Sequence, residues 1–191
     1  MVNNYDYLPP PEEIRAFYED APTRIQLGAY VIALSAFFLM WFVGSLRSAL
    51  RSAEGGTGRL SAVTFGGGIA AGTVLIVGSA AMIAAGQRAG AESGIGLETA
   101  TALNDLQGVL MGIGLPIALA VTVGASAVVS FRTGVFPTWL SWVGAILAVG
   151  LLSPLGYIFG AIAILWVAVV SIILFMAGRR ALSSTLPGVR D

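Results

Sequence analysis

Glu92, Glu98 and Asp105, with Asn104 beside them, bring oxygen ligands together in one short stretch of an otherwise apolar chain. Hard cations such as Mg²⁺ or Ca²⁺ take ligands of this kind. The spacing matches no known calcium loop, and solvated residues at helix starts account for the same acids. A second group, Thr122, Ser126 and Ser130, repeats every four residues, which places three hydroxyls on one helix face. Such a stripe could line a polar cavity, or its hydroxyls could bond carbonyls of their own or a neighbouring helix. Pro116 follows Gly112 and Gly114, a combination that fits a hinge or broken helix, or a fixed kink. Arg47, Arg51 and Arg59 form a third group, able to hold anionic lipid headgroups. Membrane topology alone also explains them.

What the chain lacks removes most other chemistry. It contains no Cys, no His and no Lys. Disulfides, thiolate nucleophiles, His-ligated haem, histidine zinc sites, histidine proton relays and a retinal Schiff base all need an atom that is missing. No Asp, Glu, Arg or Lys falls within the apolar part of any long segment. Intramembrane charges mark ion and proton pathways, so a proton-coupled transporter is not expected. An intramembrane protease using paired carboxylates or Ser–His fails on the same grounds. The expectation is a non-enzyme with no catalytic residue, no resident metal and no cofactor.

The elements that must position these residues are long apolar runs. The chain has 191 residues, 57% hydrophobic and 10% charged, with a mean hydropathy of +0.87. Soluble domains carry about 25% charged residues. The fold class expected is all-α: a polytopic helical membrane protein of about five transmembrane helices with a short N-terminal amphipathic helix. Residues 1–24 form an extracytoplasmic segment, 25–178 the bundle and 179–191 a cytoplasmic tail. No basic, apolar leader opens the chain, so it does not read as a signal peptide. After Pro9–Pro11, Ile14, Phe17 and Tyr18 fall on one face of a short helix, suited to the membrane surface or to docking on a partner.

The membrane segments follow in order. Ile25–Leu46 ends in aromatics and is closed by Gly55, Gly56 and Gly58. Ser61–Gly86 is uncharged and long enough to cross a bilayer. The third runs from about Leu106 to Phe131, the fourth starts near Pro137 or Trp139, and the fifth covers about Tyr157–Ala177. Ser153–Gly156 interrupts the fourth so early that a full crossing is in question. The pairs Gly68/Gly72, Gly108/Gly112 and Gly156/Gly160 stand four apart and could pack helices within the bundle or against another chain.

Arginine counts orient the bundle. With five segments, one side receives Arg47, Arg51, Arg59, Arg132, Arg179, Arg180 and Arg190, and the other Arg15, Arg24 and Arg88. The positive-inside rule then places the N-terminus outside and the C-terminus in the cytoplasm, within the plasma membrane. Net charge is zero, so nucleic acid is not an expected partner.

The stretches PTRIQLGAY at Pro22–Tyr30, WFVGSLRSALR at Trp41–Arg51 and FPTWLSWVG at Phe136–Gly144 resemble small multi-pass proteins of high-GC actinobacteria, a family of unknown function. The resemblance carries no residue roles. Two functions remain. One is an accessory or structural membrane subunit packing against other membrane proteins or itself. The other is a small carrier or binding protein for a lipid or other apolar molecule, with its cavity near Pro116 and the Thr122–Ser130 stripe.

Overall fold

The computed structural model describes residues 9–185, with side chains described as far as Arg179. The end of the expected tail, with Arg190, lies outside the described residues. Helix α1 spans Pro11–Asp20, α2 Pro22–Glu54, α3 Arg59–Ala89, α4 Leu97–Val109, α5 Leu115–Thr133, α6 Thr138–Leu151 and α7 Gly156–Thr185. No strand occurs among the described residues. The protein is an all-α helical membrane protein.

Among the described residues, four continuous helical stretches are long and apolar enough to cross a membrane: Pro22–Glu54, Arg59–Ala89, Leu97–Thr133 and Gly156–Arg179. The fourth expected segment, α6, has 14 residues. At 1.5 Å per residue it rises about 21 Å, short of a ~30 Å hydrocarbon core. The Ser153–Gly156 interruption read from sequence is therefore a real turn. Its tightness shows in the Gly156 N–H donating to the Ser153 carbonyl at 2.9 Å.

Helix ends fall where the sequence supplies breakers. Pro11 opens α1 and Pro22 opens α2, since a first-turn proline loses no helical hydrogen bond. Between α2 and α3, Gly55, Gly56 and Gly58 take φ of 64°, 54° and 62°, a region that side chains with a Cβ rarely adopt.

Pro116 distorts the third span in a specific way. Its ring cannot sit under the carbonyl four residues back and it has no N–H to give. The turn before it, Leu110–Gly114, widens into a π-helical turn, and the Leu115 N–H donates to the Leu110 carbonyl five residues away. Such bulges absorb an irregular residue without ending the helix.

The chain forms two compact units. Among the described residues, unit 1 takes those up to Phe38 with Ala71–Leu115, and unit 2 takes Leu39–Ala70 with those from Pro116 on. In unit 1, Ile14 and Tyr18 of α1 pack with Ile25, Ala85, Ile95 and Ala100. Two residues of the amphipathic helix's apolar face, Ile14 and Tyr18, are thus buried against their own chain. Phe17, expected on the same face, is 57% exposed; one residue from Tyr18, it turns about 100° away. Burial pushes the Tyr18 hydroxyl above its ordinary pKa. In unit 2, Leu46 and Leu50 of α2 pack with Val123 and Val129 of α5, Leu140 and Leu147 of α6, and Trp166 and Val170 of α7.

Candidate functional site

The acidic group does not assemble. Glu98 stands exposed in the first turn of α4, where the helix dipole favours a negative charge. Glu92 is exposed in the preceding connection and Asp105 is exposed on α4. Among the described residues, no three acidic side chains gather where a metal ion could be held.

The hydroxyl stripe is buried in unit 2: Thr122 is 2%, Ser126 0% and Ser130 2% exposed. Two of the hydroxyls stay within their own helix. Thr122 Oγ1 donates to the Ala118 carbonyl at 3.0 Å, and Ser126 Oγ donates to the Thr122 carbonyl at 2.6 Å. Ser130 does something else. Its Oγ accepts the Phe136 N–H at 3.3 Å and lies 2.6 Å from Ser141 Oγ. One buried hydroxyl thereby ties α5, the following turn and α6 together. Two further polar atoms, Thr64 Oγ1 and Trp166 Nε1, are buried without a hydrogen-bond partner.

The glycine pairs divide sharply. A Cβ on Gly68 would run into the Val43 side chain of α2, and one on Gly156 would meet the Leu151 carbonyl at 2.8 Å and Pro116 at 3.2 Å. Gly72 is buried. By contrast, Gly108, Gly112 and Gly160 have nothing within 4 Å of an added Cβ. Gly108 and Gly112 are also exposed, flanked by outward-facing Val109 and Ile113, each 58% exposed. A close approach to another helix's backbone in unit 2 falls at Gly67, which the four-residue spacing does not pick out. A Cβ there would lie 2.9 Å from the Thr122 backbone nitrogen and 3.0 Å from the Ala118 carbonyl oxygen.

The arginines lie around the α2–α3 turn of unit 2. The Arg47 guanidinium sits over the Phe65 ring, 4.9 Å from its centroid. The Arg51 stem lies against Gly58, its Cγ 3.2 Å from where a Cβ would stand. Arg59 is exposed at the start of α3. Between them Glu54 accepts the backbone N–H groups of Leu60 and Ser61, both at 2.9 Å. It satisfies two of the free donors that every helix start presents. Glu54 stands beyond the uncharged stretch of α2, which ends at Leu46. The Leu60 and Ser61 donors hold its carboxyl below the usual carboxylate range, with the Arg132 charge adding to the effect.

This capping role was missed from sequence, although one signal was present: Glu54 is the lone acid between two apolar runs, next to three glycines. A carboxyl with a lowered folded pKa adds stability above its unfolded pKa, and that stability is lost as pH falls through the folded value. Glu54→Gln should therefore lower the apparent unfolding midpoint at pH 7 in detergent. The gap from wild type should close as pH falls below the ordinary carboxylate range. A gap that persists unchanged into acid would contradict the assignment.

An open apolar depression of about 480 Å³ lies on the α6–α7 face, lined by residues including Trp142, Ile146, Val149 and Phe159. The Thr122–Ser130 stripe and Pro116 are not among its lining residues.

No family model, curated protein or solved structure matches the chain.

Proposed function

We propose that this membrane protein is a non-enzymatic accessory subunit that packs in the bilayer against a helix of another chain, through the Gly108/Gly112 face. The observation that carries this reading is the open glycine pair. In lipid, helices associate by close packing at small residues four apart, often beside β-branched ones. Gly108-Val109 and Gly112-Ile113 present that pattern outward, with nothing among the described residues within 4 Å of a Cβ on either glycine. The pair belongs to a helix long and apolar enough to span. The rival carrier reading draws less support, because the hydroxyls assigned to its cavity are spent on carbonyls, a turn amide and Ser141. We place the protein in the plasma membrane; the opposite-side arrangement of the termini holds only for five crossings, and α6 is too short to supply one on its own.

Native mass spectrometry of protein gently extracted from its own membrane tests the reading. A stoichiometric second chain, lost in Gly112→Leu, is the expected result. A monomer carrying one reproducible lipid would favour the carrier reading instead.

A further inference from the structure

We propose that the arginine end of unit 2 is a binding site for the phosphodiester of an anionic phospholipid, held by Arg47 and Arg51 with Arg59 and Arg132 contributing charge. The charge balance comes first. Among the described side chains of unit 2 there are five arginines, Arg47, Arg51, Arg59, Arg132 and Arg179, and one acid, Glu54. Both Glu54 carboxylate oxygens accept N–H groups of the α3 start. No arginine of this unit forms an ion pair among the described residues; the one such pair, Arg15–Glu19, belongs to unit 1.

The second consideration is how the two α2 arginines are held. They stand one turn apart on α2. Arg47 is only partly exposed and rests on the Phe65 ring. Its planar fork of N–H donors is thereby positioned without a carboxylate to receive it. Arg51 lays its stem over Gly58, whose φ of 62° and lack of a side chain leave the room. Arginine is the side chain best matched to phosphate, because its donors bind two oxygens at once.

Third, Arg59 opens α3 at the positive end of the helix dipole, where a cation is disfavoured. A bound anion would offset that cost. Arg132 is close enough to Glu54 to act on it electrostatically, so it adds to the same field. In a bilayer the anion within reach of such a group, at the end of an apolar segment, is a lipid phosphate.

The test is native mass spectrometry of the full chain in detergent, titrated with phosphatidylglycerol or phosphatidylcholine. Wild type should retain phosphatidylglycerol in preference. Each arginine near an anionic surface contributes about fivefold, so R47Q/R51Q should weaken phosphatidylglycerol binding about twenty-five-fold. R88Q, in unit 1, should leave it unchanged. Phe65→Leu keeps the net charge but removes the ring under Arg47 and should weaken binding about threefold. Equal retention of both lipids would overturn the proposal, and so would an R88Q loss as large as that of the double variant. An unaffected Phe65→Leu would reduce the site to a diffuse positive field and overturn it too. Displacement of the lipid by millimolar inorganic phosphate would mean that the site reads a free anion and not a lipid.

Discussion

Gly67→Leu should cost about 3 kcal/mol and lower the apparent unfolding midpoint more than any other single change discussed. At this position α3 meets the α5 backbone itself. An added Cβ would lie 2.9 Å from the Thr122 nitrogen, 3.0 Å from the Ala118 oxygen and 2.7 Å from Thr122 Oγ1. Backbone atoms inside a helix cannot rotate aside as a side-chain tip can, so the helices must part. Overpacking of this kind typically costs 1–3 kcal/mol, occasionally more. Parting would also loosen the core that Val123 and Val129 share with α2, α6 and α7. Gly66→Ala is the control. Nothing lies within 4 Å of a Cβ there, and alanine is about 1 kcal/mol better than glycine inside a helix. It should be neutral or stabilising. Thermal unfolding of both variants in one detergent, followed by tryptophan fluorescence, reads the contrast. Equal midpoints for the two would show that α3 and α5 are not in backbone contact at Gly67.

Ser130→Ala should be the second most damaging change, at about 2 kcal/mol. The substitution strands the Phe136 N–H and takes away the Ser141 partner, both in buried surroundings. A buried group left without a hydrogen bond costs about 1–3 kcal/mol. Ser126→Ala is the matched control, since Ser126 is equally buried. Its hydroxyl only bonds the Thr122 carbonyl of its own helix. Bonds of that kind do not strengthen a helix and can slightly weaken it, so the loss should stay within about 0.5 kcal/mol. The comparison separates a hydroxyl that joins elements from one that does not. Comparable losses in Ser126→Ala and Ser130→Ala would show that the stripe acts as one unit, as a cavity lining would.

These two predictions also mark what the sequence discloses. The membrane class was legible because apolar length and missing charge act directly, whatever the tertiary structure. Breaks were legible where glycine or proline forces them, at Gly55–Gly58 and at Ser153–Gly156. Periodicity placed Thr122, Ser126 and Ser130 on one face but could not say what that face meets. Ser130 differs from its two neighbours only because the chain turns at Gly134 and brings Phe136 and Ser141 back to it. Counting intervals of four picked Gly68 and Gly72 and overlooked Gly67, since close approach depends on where a partner helix crosses. The α1 face had the same ambiguity. Ile14 and Tyr18 were apolar enough for lipid or protein, and only their packing with Ala85 and Ala100 decides it. Glu54 was hidden for a related reason: its partners are backbone N–H groups, which sequence does not distinguish.

The central claim is that the Gly108/Gly112 face meets a helix of another chain. The chain has no cysteine, so one substitution gives one thiol. The most direct measurement is cross-linking from Gly112→Cys in native membranes with a short bifunctional reagent. Val31→Cys serves as comparison, because Val31 is 68% exposed on α2, which carries no glycine pair four apart. The account predicts one discrete cross-linked species from position 112 and none from position 31. If the species has twice the chain mass, the partner is a second copy; any other discrete mass identifies a different subunit. No species from position 112, or the same pattern from both positions, would contradict the account.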